Sequence, residues 1–158
     1  MRTKTKPSAK TSSTTVRRSA RVKPAPTGYS GTALPKKLGI HPDSRVGLLG
    51  APPDFEALLE PVPEGVTLSR SARSASDLCL WFPRDARELR AQIKARADQL
   101  GRYGIWICWP KKASGVPTDL SEELIRNAGL AVGLVDFKVC AIDATYSGLK
   151  LTRRKSPA

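Results

Sequence analysis

The 158-residue chain is poor in the residue types that bind metals or form disulfides. It has one histidine and three cysteines, Cys79, Cys108 and Cys140, which stand 29 and 32 positions apart. An odd number of widely spaced cysteines without a C-x-x-C pair excludes a zinc-ribbon spacing and a disulfide scaffold. Each cysteine lies within an apolar segment, so we expect three reduced, buried thiols in a cytoplasmic protein without a metal site.

The chain also lacks an apolar run that could cross a bilayer. The longest runs, residues 78–82 and 105–109, have five residues each, whereas a membrane-spanning helix needs about 20. The first 27 residues lack the apolar core of a secretory signal. Their acid-free, Ser-, Thr- and Arg-rich composition resembles a transit peptide, so import into an organelle stays open as an alternative.

Acidic residues are absent from both ends of the chain, and this absence determines where the net charge of +13 lies. Residues 1–27 contain eight Lys or Arg, and residues 153–158 contain three more. Residues 28–152 contain 16 basic and 14 acidic residues, so the body of the chain is nearly neutral. Highly charged segments with few large apolar side chains do not pack, so we expect a disordered basic tail at residues 1–27, and residues 153–158 form a basic C-terminal tail.

The N-terminal tail, residues 1–27, has no aromatic residue. Its lysines and arginines can attract nucleic acid through counterion release, which is sensitive to salt and insensitive to sequence. Specific recognition of single strands requires aromatic side chains on which bases stack. Weak association with nucleic acid through this tail is therefore one alternative function.

Strands and helices alternate in the body of the chain. Apolar runs predict the strands, and apolar residues at helical spacing predict the helices. Asp119 followed by Glu122 is a helix-start pattern, and Ser147–Gly148 has turn composition. The predicted strands are 45–50, 66–69, 77–82, 104–109, 134–142 and 149–152, and the predicted helices include a short one before Gly39, one at 55–59, and longer ones at 85–100 and 120–132.

This order predicts a single α/β domain at residues 28–152 with a mostly parallel, Rossmann-like sheet covered by helices on both faces. The last two strands are joined by residues 143–148, which are too few for a parallel crossover, so they form an antiparallel hairpin. A hairpin after the last helix is typical of the methyltransferase-like version of the doubly wound sheet. The chain predicts a truncated form of that fold.

Glycine is scarce where a doubly wound sheet that binds a cofactor needs it. The turn after the first strand, residues 50–54, has no G-x-G and contains Pro52 and Pro53, which lack N–H donors. The second strand ends at Ser69 and Arg70 rather than at an acidic residue that would hold a ribose. We therefore predict no cofactor, and a divergent or degenerate S-adenosylmethionine-type methyltransferase remains the alternative with an enzymatic activity.

The loop at residues 109–119 is the main candidate site. It follows the fourth strand, and ligands of open parallel sheets lie beyond the carboxyl ends of the strands. Two lysines, two hydroxyl groups and free N–H groups before a helix can hold an anion. The alternative is purely structural, with solvated lysines, a serine turn and helix-capping residues. The candidate ligands are Trp109, Lys111, Lys112, Ser114, Thr118 and Asp119.

A second candidate rests on two Tyr-Ser-Gly sequences, at 29–31 and 146–148. Tyr29 and Tyr146 can place hydroxyl groups beside Lys36 or Lys150 if the two segments meet at one edge of the sheet. The alternative is that these residues form turns and cover the core with aromatic rings. No pairing of a nucleophile with a base is visible, so the sequence favours a binding module over an enzyme.

The chain resembles the bacterial domain-of-unknown-function family three-zero-five-two over about residues 28–152. The family is similar in its Tyr-Ser-Gly start, its Trp-Pro-Lys-Lys loop and its Ser-Gly-Leu-Lys finish, while Tyr146 and His41 stand where it often has Trp and Lys. The resemblance implies that Lys111, Lys112 and their loop form a site, and it implies no reaction. The segments that carry it are 28–32, 36–40, 109–115, 118–120, 134–140 and 147–150.

From these observations we expect a small cytoplasmic protein that acts as a binding or regulatory module. Its ligand is an anion or an acidic protein surface at the 109–119 loop, without a membrane, a metal or a cofactor.

Overall fold

The computed structural model describes residues 33–71 and 75–154. The predicted tail at 1–27, the candidate Tyr29 and the last four residues lie outside the described residues. The helices are α1 (Leu34–Leu38), α2 (Phe55–Leu58), α3 (Ala86–Asp98) and α4 (Glu122–Ala131). The strands are β1 (Arg45–Leu49), β2 (Thr67–Ser69), β3 (Leu78–Trp81), β4 (Ile105–Pro110), β5 (Leu134–Ala141) and β6 (Tyr146–Arg153).

All six strands form one sheet in the order β2-β1-β3-β4-β6-β5. Strands β2, β1, β3 and β4 pair in parallel, whereas β6 is antiparallel to both β4 and β5. The last strand of the chain is thus inserted, in reverse direction, between the fourth and the fifth. The predicted fold class is confirmed: the domain is α/β and Rossmann-like, with a C-terminal antiparallel hairpin and a truncated, methyltransferase-like chain order.

The first face of the sheet, as we name it, is covered by α1 and α2. Leu38 of α1 and Phe55 of α2 are fully buried against Leu48, Leu80 and Trp106 of the central strands. The indole Nε1 of Trp106 donates to the Leu38 carbonyl at 2.9 Å, which attaches α1 to β4. Over β5 and β6, this face carries Lys138 and Lys150, and no helix of the described residues covers it.

The second face is covered by α3 and α4. Leu89 and Ile93 of α3 and Ile125 of α4 are buried with Ile107 and Leu149 of the sheet. The alternation of side chains along each strand separates the two cores, because successive residues point to opposite faces. The free cysteines divide in the same way, since Cys108 and Cys140 are buried on the first face and Cys79 is partly exposed on the second.

Two predicted boundaries are wrong. Helix α4 begins after Ser121, whose side chain accepts from the Leu124 N–H, so Asp119 does not start it. Ser147 and Gly148 lie inside β6, and the hairpin turn instead comes at Asp143, whose Oδ1 accepts from the N–H groups of Thr145 and Tyr146 at 2.8 and 2.7 Å. The side-chain hydrogen bond of an Asp in a turn thus replaces the predicted glycine turn.

No helix among the described residues is long and apolar enough to cross a membrane. Within the same residues, no group of three or more His, Cys, Asp or Glu side chains is placed to hold a metal ion.

Candidate functional site

The 109–119 loop lies at the carboxyl end of β4, where the sequence predicts a site. The Lys111 N–H donates to the Thr145 carbonyl at 2.8 Å, so the loop leaves the sheet beside the hairpin turn. Residues 112–114 form one turn of 3₁₀ helix that ends at Gly115, whose φ is +79°. Ser114 Oγ donates to the Lys111 carbonyl at 2.6 Å and accepts from the Val116 N–H, which fixes the turn.

Most of the candidate side chains in this loop hydrogen-bond or pack within the fold. Thr118 Oγ1 accepts from the Leu120 N–H at 3.0 Å. Asp119 Oδ1 accepts from the Ala86 N–H at 2.8 Å, so this carboxylate satisfies a donor at the start of α3. Trp109 is 8% exposed and packs into the second-face core. These residues, with Ser114, give the loop its shape.

The two loop lysines are placed differently. Lys111 is partly exposed and Lys112 is exposed. Neither forms an ion pair with any residue that the structure describes. The loop therefore offers its cations outward on a fixed turn, while its acidic and hydroxyl groups are already bonded.

Lys111 belongs to a larger group, which we name the lysine cluster: Lys37, Lys111, Lys138 and Lys150. Burial raises the pKa of the Cys140 thiol, and the charges of Lys37, Lys138 and Lys111 lower it, so these three lysines lie near Cys140. Lys138 stands opposite Lys150 across the β5–β6 pair. The Lys37 ammonium donates to the Ala141 carbonyl at 3.5 Å. Four segments thus bring four cations to one face of the hairpin.

Lys150 is the most enclosed member of the cluster. Its Nζ lies 5.9 Å from the ring centroid of Trp106 and 5.5 Å from that of Phe137. A Cβ placed on Gly39 would come within 3.1 Å of this Nζ, so the glycine that ends α1 leaves room for it. Burial and the charge of Lys138 lower the pKa of Lys150. The ring faces stabilise the ammonium only in part, because a cation–π contact is weaker than a paired carboxylate.

The second set of predicted site residues is not brought together. Tyr146 and Lys150 point to the same face of β6, but four residues of strand separate them by about 13 Å. The Tyr146 ring packs edge-on against Phe82 at 5.2 Å, and its pKa is raised by burial and by Asp143 and Cys108. Lys36 is exposed on α1 next to Lys37.

Two members of the lysine cluster, Lys37 and Lys138, are not among the site residues that the sequence predicts. The alternation of side chains along β5 places Lys138 on the same side as Cys140, and this pattern is a sequence signal for Lys138.

The turn after β1 is occupied by the chain itself. Arg70 donates to the carbonyls of Ala51 and Pro52 at 2.8 and 2.7 Å and to both carboxylate oxygens of Glu56 at 2.8 Å. This arginine lowers the pKa of Glu56 to about 2. A Cβ on Gly50 would lie 2.7 Å from the Phe82 carbonyl oxygen, so the backbones of the two strand ends are in contact there. The turn presents carbonyls to its own arginine rather than N–H donors to a ligand.

Compared with family models and with curated proteins, the chain matches none. The family resemblance carried by the lysine loop and the Ser-Gly-Leu-Lys strand therefore stays a prediction. The geometry of the lysine cluster is the basis for a functional proposal.

Proposed function

We propose that the protein is a binding or regulatory module whose lysine cluster, together with Lys112 of the 109–119 loop, binds an acidic partner. The observation that carries this proposal is the convergence of four lysines from α1, the β4 loop, β5 and β6 without an acidic partner among the described residues. Free thiols and the absence of a paired cysteine support a cytoplasmic setting for this binding.

Half of the ten described arginines are paired with acidic side chains. These five lie within 4.0 Å of a carboxylate, in the pairs Arg45–Asp77, Arg70–Glu56, Arg84–Glu88, Arg102–Asp77 and Arg126–Glu122. Lys138 and Lys150 instead oppose each other, and like charges at opposed positions of an antiparallel pair destabilise it by roughly 0.2–1 kcal/mol. An anion bound between them removes that repulsion.

The shape of the cluster supports an extended acidic segment over a single phosphate group. The cluster extends along β6 from Lys111, beside the hairpin turn, to Lys150, a distance of about 13 Å along the strand. Strand β5 is the outer strand of the sheet and pairs with β6 alone among the described strands. No other strand of the described residues pairs with its outer backbone groups, and adding a strand at such an edge is a common way of binding an extended peptide.

A second candidate, a divergent or degenerate methyltransferase, is favoured by the chain order of the sheet. The residues at the end of β1 do not fit S-adenosylmethionine. Pro52 and Pro53 provide no N–H, Arg70 binds the carbonyls of the turn, and Gly50 contacts the Phe82 backbone. The only histidine, His41, stacks on Tyr103 with ring centroids 4.1 Å apart, which gives it a packing role.

The proposal is tested by fluorescence anisotropy with a labelled hexaglutamate peptide and the full-length protein. The double variant Lys138→Gln/Lys150→Gln removes two charges of the cluster. At up to about 1 kcal/mol for each partly exposed charge pair, we expect roughly tenfold weaker binding. The matched control is Lys94→Gln on α3, where the lysine pairs with Asp98 instead.

The alternative, association through the N-terminal tail, gives a different pattern. Arg17→Gln/Arg18→Gln removes two charges of the tail and changes no residue of the 28–152 domain. If these variants weaken binding as much as the cluster variants, or if the cluster variants bind like the unmodified protein, the lysine cluster is not the site.

A further inference from the structure

A cavity of about 610 Å³ lies on the second face of the sheet, opposite the lysine cluster. Its floor is β1, at Gly47 and Leu49, and its wall is the last turn of α3, at Ala95 and Arg96. Gly47 has no side chain to fill this part of the cavity, and a Cβ there would lie 3.1 Å from Ser76 Oγ. Such a volume is within the range of small-molecule sites, which is roughly 300–1,000 Å³.

The one charged side chain among the described lining residues is Arg96. Its guanidinium donates to two amide oxygens, that of Gln92 on the same helix at 3.2 Å and that of Gln99, which follows the end of the helix, at 3.4 Å. It lies over the Trp81 ring at 5.8 Å from the centroid. No carboxylate of the described chain pairs with it, and its buried Nε–H has no acceptor. The side chain is thus fixed in place with an incomplete set of acceptors.

The other described lining residues are uncharged and mostly apolar. Leu49, Leu100 and Ile105 supply aliphatic surface. Cys79 contributes a thiol rather than a thiolate, because burial raises its pKa to about 12 although Arg96 lowers it. A single guanidinium in an apolar cavity matches a ligand with one carboxylate and an apolar body. The described lining supplies no second cation for a phosphate dianion.

We propose that this cavity binds a small monocarboxylic acid with an apolar body, whose carboxylate accepts hydrogen bonds from Arg96. Its apolar part then lies over Gly47 and beside Cys79 and Leu100. This site is independent of the lysine cluster, since it lies on the other face of the sheet.

The test is a titration of the full-length, ¹⁵N-labelled protein with benzoate at millimolar concentrations, with uncharged benzamide as the isosteric comparison. Benzoate should shift the amide resonances of Gly47, Arg96 and Leu100, and benzamide should not. Arg96→Gln removes the charge and should weaken benzoate binding by about ten- to a hundredfold, the effect of losing a charge-assisted hydrogen bond. Arg90→Gln, on an exposed position of the same helix, should leave it unchanged.

A second variant keeps the test decisive if Arg96→Gln fails to fold. Arg96→Lys keeps the charge and the solubility of the chain but loses the fork of donors, so it should also lose most of the benzoate-induced shifts, which Arg90→Gln should retain. The proposal is overturned if benzoate causes no shifts, if benzamide acts equally, if the Arg96 variants bind normally, or if the shifts map to Lys138 and Lys150.

Discussion

Opposed lysines on the hairpin make one stability measurement especially informative. Lys138→Glu places a carboxylate opposite Lys150, where the register pairs the two positions directly. Removing a like-charge pair and adding an opposite-charge pair each contribute roughly 0.2–1 kcal/mol, so the free energy of unfolding should rise by about 1 kcal/mol. For a domain of this size, this shifts Tm upward by about 2–4 °C.

The same substitution elsewhere should have the opposite sign. Lys94 pairs with Asp98 one helical turn away, with Nζ and Oδ1 2.7 Å apart. Lys94→Glu replaces that pair by two carboxylates and should lower stability by a few tenths of a kcal/mol. Urea denaturation of the three proteins at low salt, repeated at high salt, measures both effects.

The dependence of this stability gain on pH and salt shows whether the charge pair causes it. The introduced carboxylate has a lowered pKa in the folded state, so its stabilisation is present above the unfolded value of about 4.3 and is lost as the pH falls. High salt should reduce the gain, because exposed charges are screened. A Lys138→Glu protein that is less stable than the unmodified one at neutral pH, or whose gain is unaffected by salt, would refute the repulsion argument.

Three further predictions follow from single contacts. Asp119→Ala removes the acceptor at the start of α3 and should cost about 1 kcal/mol of unfolding free energy in urea melts, while hexaglutamate binding stays unchanged. Gly50→Ala and Gly115→Ala both place Ala at a positive φ, which costs about 1–2 kcal/mol. Of the two, only Gly50→Ala brings the new Cβ to 2.7 Å from a carbonyl oxygen, so its Tm should be well below that of Gly115→Ala. Equal Tm values would contradict the close contact at Gly50. The Glu56 pKa of about 2 means that its pairing with Arg70 stabilises the fold above the ordinary value of 4.5 and is lost as the pH falls towards 2. In Glu56→Gln, the urea midpoint should depend less on pH between 4.5 and 2 than in the unmodified protein. An unchanged pH dependence would assign the acid sensitivity to other groups.

The fold was predictable because its signals are local. Apolar runs identified β1, β3 and β4, and the short connection between the last two strands required an antiparallel hairpin. The position of the turn was not predictable from composition. Gly148 suggests a turn, but it lies in β6, where a Cβ would come within 3.1 Å of Trp106 and Ile142. Its small size serves packing, which depends on residues distant in the sequence.

The site was predictable only in part, for the same reason. The end of β4 identified Lys111 and Lys112 as outward cations, and the loop lies where the sequence places it. Asp119 reads as the start of the next helix, yet it bonds to an N–H 33 residues earlier in the chain. Lys150 comes opposite Lys138 through the register of the β5–β6 hairpin, and this register depends on where the turn lies. The insertion of β6 between β4 and β5 then brings Lys111, at the end of β4, beside that hairpin, a proximity that no local pattern contains.

The most direct test of the lysine cluster is to map where an acidic chain binds. A titration of the ¹⁵N-labelled, full-length protein with hexaglutamate should shift amide resonances of β5, β6 and the 109–119 loop, including those of Lys138, Lys150 and Lys111. Shifts confined to residues 1–27, or none at all, would contradict the account.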